Sequence, residues 1–566
     1  DACADVEIIG WLYQFYISEK KDQVFAGLKK NVKITAENIP AATQLFTPHW
    51  IVRYLVENSL GRLWLLNRPQ SKLAAQMDYY IAPEEPETDF LHIARPEDIR
   101  ICDPAAGSGH MLTYAFDLLH AIYADEGYDA DAIPALILTH NLHGVEIDDR
   151  AGALAAFALV MKAAARLGRR KFLRLGVQPN ICVMQDVRFT PAEMQDVAAV
   201  VGRDLFTDAL RETLGQFEAA KNFGSLIVPK LRDPAEVARV VRSKEFGGDL
   251  LLRDVQERVL KVLEMAEALS PKYHVVVANP PYMGAAGMNV DLKKYAAETF
   301  KSSKGDLFSM FIERSFQLSG LRGYISMITL QNWMFLSTYK AIREKILRVA
   351  PIKSLIQIGF NSFPELNSKF ALGAGFVLQN GGKPLQGDFI NLNDAPHASD
   401  KKQVFKERKR AGKIHRVNPK QFEKIPGSPI QYSFSPKVFQ AFSSNPGMGE
   451  VADARNGMTT GDNESFVRYW SEVNLAHSSI KNAPSQNTFQ KKWFPYNKGG
   501  QTRKWYGNQE TVVDWQANGM AIDAIKPKST PRNTDFFFRP SISWSDINIK
   551  NPSFRFYNEQ FCFDAA

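Results

Sequence analysis

Cysteine is scarce in this 566-residue chain, and the four present, Cys3, Cys102, Cys182 and Cys562, stand far apart without CxxC spacing. That excludes a disulfide-stapled scaffold or a zinc ribbon and suits a reduced, cytosolic protein. Cys102 and Cys182 fall within strand signals, where a thiol is most simply an apolar filler. Phosphate-binding signatures are missing as well: there is no GKS/GKT P-loop and no GxGxxG turn. No His/Cys/Asp cluster has metal-ligand spacing, so no metal is expected. No secretory signal is visible. The most apolar helix-like run, AGALAAFALVM at 151–161, is too short to span a bilayer, and no membrane partner is expected. No internal repeat and no convincing nuclease motif stand out.

What is present begins with charge. The formal net charge is +8 and the pI about 9.0, which favours a polyanionic partner. The length suits two or three domains with sizeable cores. The chain opens on Asp rather than Met and stops abruptly after NEQFCFDAA, as part of a longer protein would.

The most informative residues are Asn279, Pro280, Pro281 and Tyr282. They follow a buried-strand signal, HVVVA at 274–278, so they occupy a tight turn at a strand's end. The prolines stiffen that turn and remove two backbone donors. What remains is an amide oxygen and carbonyls that accept hydrogen bonds, beside the flat ring of Tyr282. Such a turn can grip the exocyclic amine of an adenine and stack its ring. Taken alone, NPPY could also be an ordinary proline turn.

Upstream, ICDPAAGSGHML (101–112) reads as a short strand, an acidic residue, and a turn with Gly107 and Gly109 before a helix. Glycines admit close backbone approach, and the helix start offers free N–H groups. LHGVEIDDR (142–150) supplies a second strand ending in Glu146, a carboxylate placed to accept from two ribose hydroxyls. ICVM (181–184) ends before Gln185-Asp186, and Asp186 can accept from an adenine amine. Each acid alone could be a solvated strand end. Three at successive strand ends before NPPY are hard to explain that way.

These motifs, in this order, resemble those of the gamma-class N6-adenine DNA methyltransferases that use S-adenosyl-L-methionine. DPAAGSG resembles their motif I, GVEID motif II, QDV motif III, NPPY motif IV and GDLFSMFIERS (305–315) motif V. TQLFTPHWIV (43–52) resembles motif X. EIIGWLYQFYISEKK and QLFTPHWIVRYLVENSLGRLW further resemble the PglX methyltransferases of bacterial BREX phage-defence systems. The resemblance covers about residues 40–380. It implies an α/β fold with a doubly wound, mostly parallel seven-stranded sheet, a cytoplasmic protein, double-stranded DNA as substrate and other BREX proteins as partners. It also implies roles. Asn279 and Pro280 would accept from the N6 amine, Pro281 would shape the turn, and Tyr282 would stack on the base. Phe363, with Phe360 and Phe370 as alternatives, would face the base from the other side. Glu146, Ile147, Asp186 and Val187 would hold the cofactor's ribose and adenine. Thr47, Pro48, Asp103, Ala105, Gly107 and Gly109 would form its methionine side.

Three regions are expected. Residues 1–97 read as a helical N-terminal region. Residues 98–380 read as the catalytic domain, with an insertion at 190–268 that serves as a buttress or partner surface. Residues 381–566 read as an α+β target-recognition region. In it, KKQVFKERKRAGKIHR (401–416) has eight Lys/Arg against one Glu and is either solvated surface or a phosphate contact. NGMTTGDNESFVRYW (456–470) offers Thr460, Asn463 and Arg468 for base contact. KKWFPYNKGGQTRKWYG (491–507) and FFFRPSISW (536–544) interleave aromatics with cations, as nucleic-acid surfaces do, although such aromatics are more often core. Other readings are an RNA or protein-glutamine methyltransferase, a type IIG enzyme that also cleaves, and a DNA-binding, cofactor-sensing subunit that needs partners.

Overall fold

The order of hydrogen-bonded strands defines the architecture. In this computed structural model, which describes residues 7–172, 174, 176–246, 249–270, 273–360, 362–363, 372–383, 385–396, 398–480, 490–544 and 553–565, the chain divides into two compact units, 1–443 and 444–566.

The first unit is built on β1 (Ile101–Asp103), β2 (Leu142–Glu146), β3 (Asn180–Val183), β4 (Tyr273–Ala278), β5 (Ser319–Leu330), β6 (Ile352–Gly359), β7 (Gly373–Gln379), β8 (Gly387–Asn391) and β9 (His415–Val417). They form one sheet in the order 3-2-1-4-5-7-6-8-9. β1 is parallel to both β2 and β4, while β7 runs antiparallel between β5 and β6. This is the doubly wound, mostly parallel sheet of a methyltransferase fold. The sequence order reverses between β1 and β4, where open α/β sheets form their ligand crevice beyond the strands' carboxyl ends.

Burial explains why these segments are strands. Val275 and Val277 pack on one face with Ile101, and Val276 and Ala278 on the other with Cys102. Apolar side chains on both faces give the continuous runs that mark a sheet covered by helices on both sides. Each fully buried aliphatic contributes roughly 1.5–3 kcal/mol. Helix His110–Asp125 covers one face, and helices Leu250–Ala268 and Leu307–Leu318 cover the other.

The sheet has nine strands where seven were expected. It does not stop at residue 380, because β8 pairs parallel with β6 and β9 antiparallel with β8. Residues 381–443 therefore join the first unit. The insertion holds helices Asp208–Gln216, Pro234–Arg242 and Leu250–Ala268, and the chain turns at Phe217–Ala219 after the first.

The second unit is α+β. Strands β10 (Val467–Tyr469), β11 (Trp493–Asn497), β12 (Thr511–Asp514) and β15 (Cys562–Phe563) form a sheet in the order 10-12-11-15. A separate antiparallel ribbon joins β13 (Ser541–Trp544) and β14 (Phe554–Tyr557). Phe494, Tyr496, Trp515 and Phe537 are core here, which absorbs part of the aromatic pattern at 491–507 and 536–544. Trp505, Tyr506 and Trp544 are exposed.

Candidate active site

β1, β2 and β4 end side by side, so each delivers a polar residue to one rim. Asp103 closes β1, Glu146 closes β2 and Asn279 follows β4. Together they line one cleft.

The floor is residues 103–108, and the expected Gly109 falls just outside it. Asp103 is buried, and its Oδ1 accepts from the Ala105 N–H at 3.0 Å. Burial, with the nearby Glu146 charge adding to it, pushes its carboxyl up to about 8 despite that bond. Gly107 adopts φ 53°, a region that favours glycine, and gives its N–H to Glu146 Oε2 at 2.7 Å. Gly109 has φ 89°, and a Cβ there would stand 3.1 Å from Ala155 Cα, so the glycine lets two helices approach. Glu146 Oε1 accepts from Ile147 N–H at 2.8 Å and Asp148 N–H at 3.0 Å. Burial raises its pKa, and these backbone bonds oppose the rise.

The opposite wall holds the NPPY turn. Asn279 Nδ2 donates to Leu45 O and to Thr47 Oγ1, each at 3.0 Å. The Tyr282 hydroxyl lies 2.8 Å from Asn279 Oδ1 and 2.9 Å from Ile328 O. Burial pushes the Tyr282 phenol well above its ordinary value, so it remains a donor. Asp306 holds the turn from below, with Oδ1 accepting from Met283 N–H at 3.2 Å and Phe308 N–H at 3.3 Å. Desolvation pushes its carboxyl up to about 6.

Not every expected residue reaches the cleft. Thr47, Asp103, Ala105, Gly107, Glu146, Ile147, Asn279 and Pro281 line it. Pro280 is buried in the turn, Tyr282 is half-buried behind Asn279, and Pro48 starts helix His49–Val56. Asp186 is exposed, accepts from the Lys221 backbone N–H at 2.8 Å, and is not among the lining residues. Val187 is buried, its N–H bonded to Phe217 O. Asn222, Phe223 and Gly224 line the cleft. These residues come from the insertion, which therefore does more than buttress. Phe223 stacks on Tyr295 with centroids 4.5 Å apart. No motif pointed to them, because only the tertiary fold returns 220–226 to the end of β2. Phe363 is buried and meets Tyr282 edge to face, with centroids 6.0 Å apart at 61°. The two rings are not parallel here. Phe360 is half-buried beyond β6, and Phe370 lies outside the described residues.

Gly224 (φ 52°) packs tightly against Ile147, since a Cβ there would stand 2.9 Å from the isoleucine Cγ2. Gln14 Oε1 is buried at the cleft wall with no protein partner among the described residues.

Comparison with known proteins finds relatives by sequence. Residues 140–363 match the Eco57I restriction-modification methylase family. The chain is 37% identical to the adenine-specific methyltransferase BrxX of Escherichia coli O9:H4 (strain HS), over 99% of this chain and 48% of that one. It is also 37% identical to the adenine-specific methyltransferase PglX of Lacticaseibacillus casei (strain Zhang), over 100% of this chain and 49% of that one. The chain is PglX-like. It spans about half the length of these curated relatives. Among solved structures, the type IIL restriction-modification enzyme MmeI in complex with DNA overlaps with a TM-score of 0.42 at 12% identity, covering 91% of this chain and 61% of that one. Among the described residues, no helix of the PglX-like chain is long and apolar enough to cross a membrane.

Proposed function

We propose that this chain moves the methyl group of S-adenosylmethionine to N6 of an adenine extruded from duplex DNA, and that the mark serves self-recognition in a BREX-type phage-defence system. The observation that carries the reading is Asn279. Its amide is fixed at the end of β4 and lines the cleft that Asp103 and Glu146 close from the other side. The adenine-specific activity named for both full-length relatives supports it.

The residues suit the cofactor. Glu146, Ile147 and the Asn222–Gly224 segment would hold its nucleoside, and Asp103, Ala105, Gly107 and Thr47 its methionine. S-adenosylmethionine supplies an electrophilic methyl on a sulfonium. Asn279 Oδ1 and the Pro280 carbonyl would accept from the target amine and aim its lone pair. Both acceptors also favour the positive charge that grows on N6. As the N–C bond forms and the S–C bond breaks, the N6 proton becomes acidic and leaves to solvent, so no strong base is needed. Tyr282 would offset part of the few kcal/mol that base extrusion costs.

Because the relatives are about twice as long, turnover is also measured with the other proteins of the defence system added. The test is single-molecule sequencing of DNA from cells with and without the gene. N6-methyladenine in one sequence context, dependent on the gene, is the expected result. Its absence in both settings would refute the proposal.

A further inference from the structure

A side-chain amide has two ends, and only its oxygen can accept from a target amine. What decides which end of Asn279 faces the substrate? Leu45 O and Thr47 Oγ1 take both protons of Nδ2, each at 3.0 Å. On the other side the Tyr282 hydroxyl stands 2.8 Å from Oδ1. Turning the amide over would set its oxygen against the Leu45 carbonyl, which has no proton to give. Thr47 is the part of this cradle that a side chain supplies. It is 4% exposed and comes from the segment just before helix His49–Val56, far from Asn279 in sequence.

The Tyr282 hydroxyl completes the arrangement. It has one proton and two acceptors in reach, Asn279 Oδ1 at 2.8 Å and Ile328 O at 2.9 Å. Rotation toward Ile328 leaves Asn279 Oδ1 free to accept from an arriving amine, with no heavy atom displaced.

We propose that Thr47 is a positioning residue for methyl transfer. Its hydroxyl accepts from Asn279 and so fixes the rotation of the amide, whose oxygen the Leu45 carbonyl keeps on the Tyr282 side, where the target base would stack. This rests on the adenine-methylation reading above, and it gives Thr47 a task separate from holding the cofactor.

Thr47→Val keeps the shape and removes the acceptor, whereas Thr47→Ser keeps the acceptor. With cofactor and DNA saturating, Thr47→Val should slow single-turnover transfer at least about 10-fold, and Thr47→Ser should stay within about 3-fold of the parent. Because Thr47 also lines the cofactor side of the cleft, calorimetry sets the S-adenosylmethionine concentration that saturates each variant. Equal losses in the two variants, or a loss lying wholly in cofactor affinity, would overturn the proposal. A second measurement needs no turnover. In chain labelled with 15N-asparagine, the Asn279 amide protons, assigned with Asn279→Ala, should exchange slowly in the parent and in Thr47→Ser. They should exchange fast in Thr47→Val. Unchanged exchange in Thr47→Val overturns the positioning role. A parent chain that methylates no DNA overturns the reaction reading instead, and the exchange result still decides the role of Thr47.

Discussion

Asp103 and Glu146 put two carboxyls at one buried rim, an unfavourable place for two negative charges. Burial pushes Asp103 up to about 8, and Asp306 and Asp388 up to about 6. Each folded value lies above the unfolded value of about 3.9. The folded chain therefore keeps protons that the unfolded chain releases. The stability they contribute is complete at low pH, and it is lost as pH rises through about 6 for Asp306 and Asp388 and about 8 for Asp103. Asp103→Asn keeps an oxygen for Ala105 but cannot titrate. Between pH 6 and 8 it should flatten the decline, which for one proton is at most about 1.4 kcal/mol per pH unit. Urea midpoints across that range provide the check, and an unchanged slope would mean that Asp103 is already ionised. The acceptor residues make a separate prediction. Asn279→Ala should cut methyl transfer at least about 100-fold while leaving cofactor affinity nearly intact. Tyr282→Ala should lose more on matched duplex than on DNA with a mispaired target adenine, since the mispair lowers the cost of extrusion. Equal losses on both substrates would remove Tyr282 from a stacking role. Asn279, Asp103 and Glu146 were legible in the sequence because each ends a strand, and strand ends meet at the switch point. Asp186 also follows a strand, but β3 is one strand further out, and the returning insertion takes the place at the cleft.

At the scale of elements, the basic run at 401–416 shows what composition cannot decide. Residues Lys401–Arg410 form a helix, and five of the eight cations are spent on the first unit itself. Lys406 pairs with Asp78 at 3.0 Å, and Lys409 reaches Asp78 O at 2.8 Å. Lys401 donates to Leu392 O, Arg408 pairs with Asp394, and Arg416 lies between Glu84 and Asp388. Side chains of Lys402, Arg410 and Lys413 have no such partner among the described residues. The sequence counted charges, whereas the fold brings distant acids beneath them. Replacing Lys406 and Lys409 by Gln should lower stability by up to about 1 kcal/mol per partly exposed pair and leave the salt dependence of DNA binding unchanged. Replacing Lys402, Arg410 and Lys413 instead should flatten the log–log salt slope by about 0.9 for each that meets a phosphate. Binding to a random duplex across a salt series separates the two sets; a full slope in the second set makes the whole run structural. The 456–470 segment is likewise partly occupied. Thr460 is buried and donates to Asn463, and Arg468 donates to the carbonyls of Glu464 and Val467. Changes of sequence preference are therefore less expected from Thr460 than from an exposed neighbour such as Tyr469.

At the scale of the molecule, every residue that lines the cleft, from Gly10 to Phe311, belongs to the first unit. So do all nine strands of its sheet and both core clusters that cover it. The first four strands of the doubly wound core were legible because each is a short apolar run followed by a motif. β8 and β9 were not, since Gly387–Asn391 and His415–Val417 are short and gain their place only by pairing with β6 and with each other. That extension moves the boundary of the unit to residue 443, beyond the basic helix. A chain cut after residue 446, past helix Pro436–Ser444, keeps the whole sheet, both clusters and the cleft. It should fold cooperatively and bind S-adenosylmethionine within about 3-fold of the 566-residue chain, a difference under about 0.7 kcal/mol. The second unit, with its own sheet and core, then carries the remaining task. If it reads the target, the shortened chain should lose its preference for the methylated sequence over random duplex and keep only salt-sensitive, sequence-independent binding. Calorimetry with the cofactor and competition between specific and random duplexes measure the two properties on one preparation. Retained preference would put sequence readout in the first unit, and lost cofactor affinity would show that the cleft depends on residues beyond those that line it.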